Sequence, residues 1–109
     1  MTLRLPSPCL VVLVGPVASG KSTWAAEHFP SGAVVSSDRL RAVVGAGEDD
    51  IAAGDDAFAL LDEIVTRRVA RGLTTVIDTT GLDASRRARW RDLARSRGTA
   101  CVAVAFDTL

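Results

Sequence analysis

The chain has 109 residues, 13 basic and 13 acidic side chains, a formal net charge of zero and 48% hydrophobic residues. A chain of this length buries roughly 60–70% of its unfolded surface, enough for one core without staples, and its near-average composition excludes wholesale disorder, collagen-like repeats and a disulfide scaffold. Its longest apolar run, Cys9 to Val14, is about a third of a membrane span, and no basic-led apolar segment with a small-residue cleavage site precedes it, which points to a soluble cytoplasmic protein with no membrane partner.

The zero net charge divides unevenly. Residues 1–65 carry four basic and nine acidic groups, whereas residues 66–109 carry nine basic and four acidic ones. Twelve of the 13 basic residues are arginine, and Lys21 is the only lysine. A lysine kept against that bias suits a compact phosphate site, where arginine does not substitute for it.

In chain order, Cys9-Leu-Val-Val-Leu-Val-Gly15 has the continuous aliphatic pattern of a parallel strand buried on both faces. A glycine-rich turn follows, then a helix from about Gly20 to Phe29 that Pro30 stops. A short strand at Ala33–Ser36 precedes a helical stretch from Asp38 to about Val44, and 45–50 is the most loop-like segment. A longer helix runs from Gly54-Asp55 to Arg71, with Asp55 as a candidate N-cap and Gly72 placed to end it. Leu73 to Asp78 reads as a third strand, Asp83 as the cap of a helix through Arg97 closed by Gly98, and Thr99 to Phe106 as a fourth strand. This alternation predicts an α/β domain: a parallel sheet of about four strands with helices on both faces. All 109 residues read as one domain, and a last strand three residues from the end of the chain reads as the N-terminal part of a longer one.

Gly15-Pro16-Val17-Ala18-Ser19-Gly20-Lys21-Ser22 fits G-x-x-x-x-G-K-[ST], the P-loop of nucleotide-binding proteins, between a strand and a helix as the motif requires. Glycines let the backbone wrap a phosphate, successive N–H groups form an anion nest, and the following helix contributes its positive end. Lys21 is placed for the β- and γ-phosphates of ATP and Ser22 for Mg²⁺, with Thr23 completing the nucleotide-binding stretch. The competing reading is a glycine turn without a ligand.

Ser36-Ser37-Asp38-Arg39-Leu40-Arg41 directly follows the second strand, at the end of the sheet where α/β ligands collect. Asp38 is placed to accept a proton from an acceptor hydroxyl, or alternatively to cap its helix. Arg41, one turn on, can bind an anionic group of the acceptor, and Arg39 reads as solvated. Asp78 closes the third strand, where it serves as a Mg²⁺ ligand or as a cap for the Thr79-Thr80-Gly81 turn.

Arg86, Arg87, Arg89, Arg91, Arg95 and Arg97 surround most of their helix, leaving Trp90, Leu93 and Ala94 as the buried stripe, so they read as a solvated face and not as a nucleic-acid stripe. His28 reads as a capping or surface residue. Cys9 and Cys101 read as small buried hydrophobes.

Together, GPVASGKST, VVSSDRLR, AFALLDEIV, TTVIDTTGLDASRR and VAVAF resemble, in order, the kinase domain of bacterial polynucleotide kinase-phosphatases and the related phage polynucleotide 5′-kinases. The resemblance extends from about Cys9 to Phe106, and its most specific block is Ser-Ser-Asp-x-x-Arg. It implies a P-loop NTPase fold, ATP and Mg²⁺, phosphate and metal roles for Lys21 and Ser22, a general base at Asp38, and an acceptor-phosphate grip at Arg41. Asp78 falls at the Asp of the family's Asp-x-Thr-Asn turn, which here reads Asp78-Thr79-Thr80-Gly81. The family also carries an arginine-bearing lid after the fourth strand, so these 109 residues alone are expected to bind nucleotide weakly and turn over slowly, with the lid supplied by further chain or a partner. The leading expectation is transfer of the γ-phosphate of ATP to a polynucleotide 5′-hydroxyl. The alternatives are a small-molecule or toxin-type kinase and a non-catalytic nucleotide-binding module.

Overall fold

Strand β1 (Cys9–Val14) is apolar along its whole length because it lies inside the sheet, with a partner on either edge. The computed structural model describes residues 5–16, 18–79 and 84–106. Its four strands, β1, β2 (Val34–Ser36), β3 (Thr75–Asp78) and β4 (Ala100–Ala105), are all parallel in the order β2-β3-β1-β4. The expected α/β architecture is therefore present.

Alternate residues of β1 feed two cores, as a strand's two-residue period requires. Leu10 and Val12, with Val35 and Ile77, pack under Leu61, Val65 and Val69 of α3 (Gly54–Ala70) and Trp90 and Ala94 of α4 (Ala84–Ser96). Cys9, Val11 and Leu13, with Val76, pack under Ala25 of α1 (Lys21–His28). Cys9 and Cys101 are both free thiols, and burial pushes the pKa of each upward. Cys101 stands opposite Leu10 in the register, which puts it on the other face of the sheet from Cys9.

Register sets the position of the candidate site. Asp78 lies level with Leu13 on one side and with Ser36 on the other. The turn after β1, the start of α2 (Ser37–Val44) and the end of β3 therefore meet at the carboxyl edge of the sheet, where ligands of open α/β sheets bind.

Helix ends follow local chemistry with several shifts from the sequence expectation. Ser36, not Asp38, caps α2: its side chain accepts from the Arg39 N–H at 3.3 Å, and Asp38 sits in the first turn. Asp55 is likewise no cap, because α3 already starts at Gly54, and it favours the helix dipole from the first turn together with Asp56. Gly72 (φ 70°) and Gly98 (φ 66°) end α3 and α4 as expected, with Leu73 N–H reaching Arg68 O at 3.1 Å and Thr99 N–H reaching Ala94 O at 2.9 Å. Strand β3 begins at Thr75 and not at Leu73, because Arg68 and Thr75 engage the backbone carbonyls of Thr74 and Leu73. The expected cap Asp83 lies outside the described residues.

Asp62 of α3 binds α4 to the rest of the fold. Its carboxylate accepts from the Trp90 indole N–H at 3.0 Å and from Arg89 at 2.9 Å, with Arg86 at 3.8 Å. The Arg86 guanidinium also lies 3.9 Å from the centroid of the Phe58 ring. Arg86 and Arg89 of this helix thus have structural partners, so the face is not simply solvated. His28 takes the expected surface role, its Nδ1 2.7 Å from Trp24 O and its ring stacked on the Trp24 indole. No helix among the described residues is long and apolar enough to cross a membrane.

Candidate nucleotide site

The turn after β1 has room for little but glycine at its first position. A Cβ on Gly15 would stand 2.8 Å from the Phe106 carbonyl oxygen and 3.1 Å from Ser19 Oγ. Farther on, the backbone takes left-handed values at Ala18 (φ 63°) and Gly20 (φ 92°, ψ 5°). Such changes of hand turn successive N–H groups into one concavity. Helix α1 starts from Gly20 with no side-chain cap and no acidic residue in its first turn, so its orphan N–H groups face the same hollow.

That hollow is a cavity of about 170 Å³ lined by Pro16, Ala18, Ser19, Gly20, Lys21, Ser22 and Thr23, with Asp38, Asp78 and Thr79 across from them. Val17 lies outside the described residues. Ser19 Oγ is buried with no hydrogen-bond partner among the described residues, a donor available to an anion held in the loop. Lys21 is 4% exposed, and its ammonium donates to Gly15 O at 2.6 Å and Thr79 O at 3.4 Å. Ser22 Oγ donates to Asp78 Oδ2 at 2.6 Å.

Mg²⁺ fits this pair. It takes oxygen ligands and is commonly held by one or two protein groups plus substrate phosphates and water. A hydroxyl and a nearly buried carboxylate supply such a half-site. Among the described residues no group of three or more His, Cys, Asp and Glu gathers into a metal cage.

Asp38 and Arg41 form an ion pair on α2, and Arg41 Nε also donates to Glu48 O at 2.8 Å. A second cavity, about 500 Å³, opens on this side over Phe29, Val34, Arg39 and Glu48. Ser22, Asp38 and Asp78 line both cavities. Arg39, expected to be merely solvated, is exposed but lines the second cavity.

The profile of the AAA domain matches residues 10–109. The chain belongs to the AAA domain family. No curated protein is similar enough to this AAA domain to count as a relative. Among solved structures, a candidate kinase from Chloroflexus aurantiacus superposes with a TM-score of 0.69 at 16% identity, over 94% of this chain and 61% of that one. The APS kinase of Mycobacterium tuberculosis superposes with a TM-score of 0.64 at 23% identity, over 95% of this chain and 78% of that one. The AAA domain described here thus has the P-loop NTPase fold seen in kinases and spans about three-fifths of the first of these structures.

All the described residues singled out in the sequence, Lys21, Ser22, Asp38, Arg41, Asp78 and the loop positions except Val17, gather at this one edge. Sequence reading missed Ser37 and Thr79, both buried, whose hydroxyl oxygens are 2.8 Å apart. Thr79 had a signal in its place directly after Asp78, whereas nothing in the sequence joins Ser37 to a partner 42 positions away.

Proposed function

We propose that this AAA domain moves the γ-phosphate of ATP onto an acceptor hydroxyl. The observation that supports this reading is the pair of adjoining cavities with Ser22, Asp38 and Asp78 at their junction. The first cavity holds the triphosphate against the loop N–H groups, the Ser19 hydroxyl and Lys21. The acceptor enters the second with its hydroxyl toward Asp38. Asp38 takes the hydroxyl proton as the acceptor oxygen bonds to the γ-phosphorus, the bond from that phosphorus to the β–γ bridging oxygen breaks, and ADP departs with the electron pair.

Mg²⁺, when bound by Ser22 and Asp78, neutralises developing charge on the phosphates. Arg41 fixes the Asp38 carboxylate at the junction and presents its remaining N–H groups to an anionic group of the acceptor.

The acceptor we propose first is a polynucleotide 5′-hydroxyl, supported by the Asp38-x-x-Arg41 pair that the polynucleotide kinases share. A small hydroxyl compound is the second reading. It is favoured by a cavity of about 500 Å³ whose mouth carries Glu48, a carboxylate that opposes a polyanion.

Transfer from γ-labelled ATP to a 5′-hydroxyl oligonucleotide and to a panel of sugars and polyols, with wild type, Lys21→Ala and Asp38→Ala, tests both readings. Labelled oligonucleotide that vanishes in both variants supports the first, and labelled sugar alone supports the second. Nucleotide binding lost in Lys21→Ala, with no acceptor labelled by wild type, would leave a binding module and overturn the transfer reading.

A further inference from the structure

The buried Ser37–Thr79 contact joins two parts of the site. Ser37 is the first residue of α2, next to the proposed base Asp38, and Thr79 follows the proposed metal ligand Asp78 at the end of β3. Ser37 is 1% exposed and Thr79 3%, with their oxygens 2.8 Å apart. The Thr79 carbonyl also lies 3.4 Å from the Lys21 ammonium. A single residue therefore meets the helix that carries the base through its side chain and the phosphate-binding lysine through its backbone.

Asp38 cannot hold its own place as firmly. Its side chain is 44% exposed, and its partner Arg41 belongs to the same helix, so that ion pair does not tie α2 to the sheet. Ser36 caps α2 from within the chain segment itself. A cross-chain restraint beside the carboxylate is the hydroxyl pair, buried where the loss of a hydrogen bond is costly.

We propose that Ser37 and Thr79 are positioning residues for phosphoryl transfer, a buried hydroxyl pair that sets the distance between the base on α2 and the Lys21–Asp78 phosphate site. This rests on Asp38 acting as the base. Ser37 lines neither cavity, and Thr79 stands on the wall of the first. Their contribution is to the geometry of the reacting groups, where displacements near 1 Å cost about 100-fold in rate.

The test uses ATP hydrolysis by the chain under single-turnover conditions, with water as the acceptor, together with binding of a fluorescent ATP analogue and amide hydrogen exchange over residues 37–41 and 75–79. Ser37→Ala and Thr79→Val are each expected to slow phosphate release about 10- to 100-fold while nucleotide affinity changes little. Thr79→Ser, which keeps the hydroxyl, restores the rate. The double variant Ser37→Ala/Thr79→Val is no slower than the slower single, because both remove one interaction.

A wild-type rate in Thr79→Val, or losses that multiply in the double variant, would overturn the pairing. Asp38→Ala separates the two proposals: release that survives this change sinks the base assignment and, with it, the positioning role. Loss in Asp38→Ala with full rates in the hydroxyl variants sinks the positioning role alone. If wild type releases no more phosphate than Lys21→Ala, transfer itself falls, and the link is read from exchange. Both single variants should then speed exchange in both segments, and unchanged exchange would overturn the link.

Discussion

Ser22 Oγ donates to Asp78 Oδ2 across 2.6 Å, joining the first turn of α1 to the last residue of β3. The two oxygens come from positions 56 residues apart, yet the pairing of β3 beside β1 leaves them side by side before any ligand arrives. An arrangement set in advance reduces the ordering cost of binding.

Asp78→Ala should therefore abolish the gain in nucleotide affinity that Mg²⁺ confers on wild type, while affinity in EDTA stays at the wild-type level. Titration of a fluorescent ATP analogue in the two buffers checks this. An unchanged Mg²⁺ gain would remove Asp78 from the metal site.

Lys21→Ala deletes the one ammonium in the loop. Nucleotide affinity should fall by about 10- to 150-fold, the 1.5–3 kcal/mol carried by hydrogen bonds to a charged group. Lys21→Arg should fail to restore it, since a planar guanidinium does not fit between the Gly15 and Thr79 carbonyls that hold the ammonium. Calorimetric titration with ATP measures both.

Gly15→Ala places a methyl 2.8 Å from the Phe106 carbonyl oxygen, a backbone atom that a side-chain movement cannot relieve. A loss of about 1–3 kcal/mol in stability is expected, together with weakened nucleotide binding, because the same methyl meets Ser19 Oγ. Urea unfolding gives the first quantity and analogue binding the second.

Asp62→Ala leaves the buried Trp90 indole N–H without its acceptor and frees Arg89. Stability should fall by about 1–3 kcal/mol, whereas Asp62→Asn, which keeps an acceptor for the indole, should recover most of it. Thermal melts of the two variants make the comparison.

Cys9 and Cys101 have pKa values raised by burial, so both remain neutral thiols at neutral pH in the folded chain. Alkylation by iodoacetamide at pH 7.5 should be slow until urea unfolds the protein, with the half-buried Cys101 reacting before Cys9. The stability these groups contribute is complete below the unfolded thiol value, about 8.5, and falls as pH rises through the higher folded values. Urea midpoints should therefore decline above about pH 8.5 in wild type and less in the Cys9→Ala/Cys101→Ala variant.

Much of the fold follows from local pattern. The aliphatic run Cys9–Val14 can only be a buried strand, Gly72 and Gly98 end their helices in the left-handed conformation that glycine favours, and the loop from Gly15 to Ser22 announces an anion site by its spacing. These are short-range matters of burial, backbone freedom and hydrogen-bond supply, and they are written in consecutive residues. Tertiary structure decided what depends on register. The order β2-β3-β1-β4 brings Ser36, Asp78 and Leu13 level, and only that alignment lets Ser22 meet Asp78 and Ser37 meet Thr79. It also put Arg39 on the wall of the second cavity, where sequence spacing alone left it to solvent; the Arg41–Asp38 pair, by contrast, is local to one turn of α2. A hydroxyl has no periodicity and carries no charge, so a buried pair 42 residues apart leaves no trace in the sequence until the sheet closes the distance.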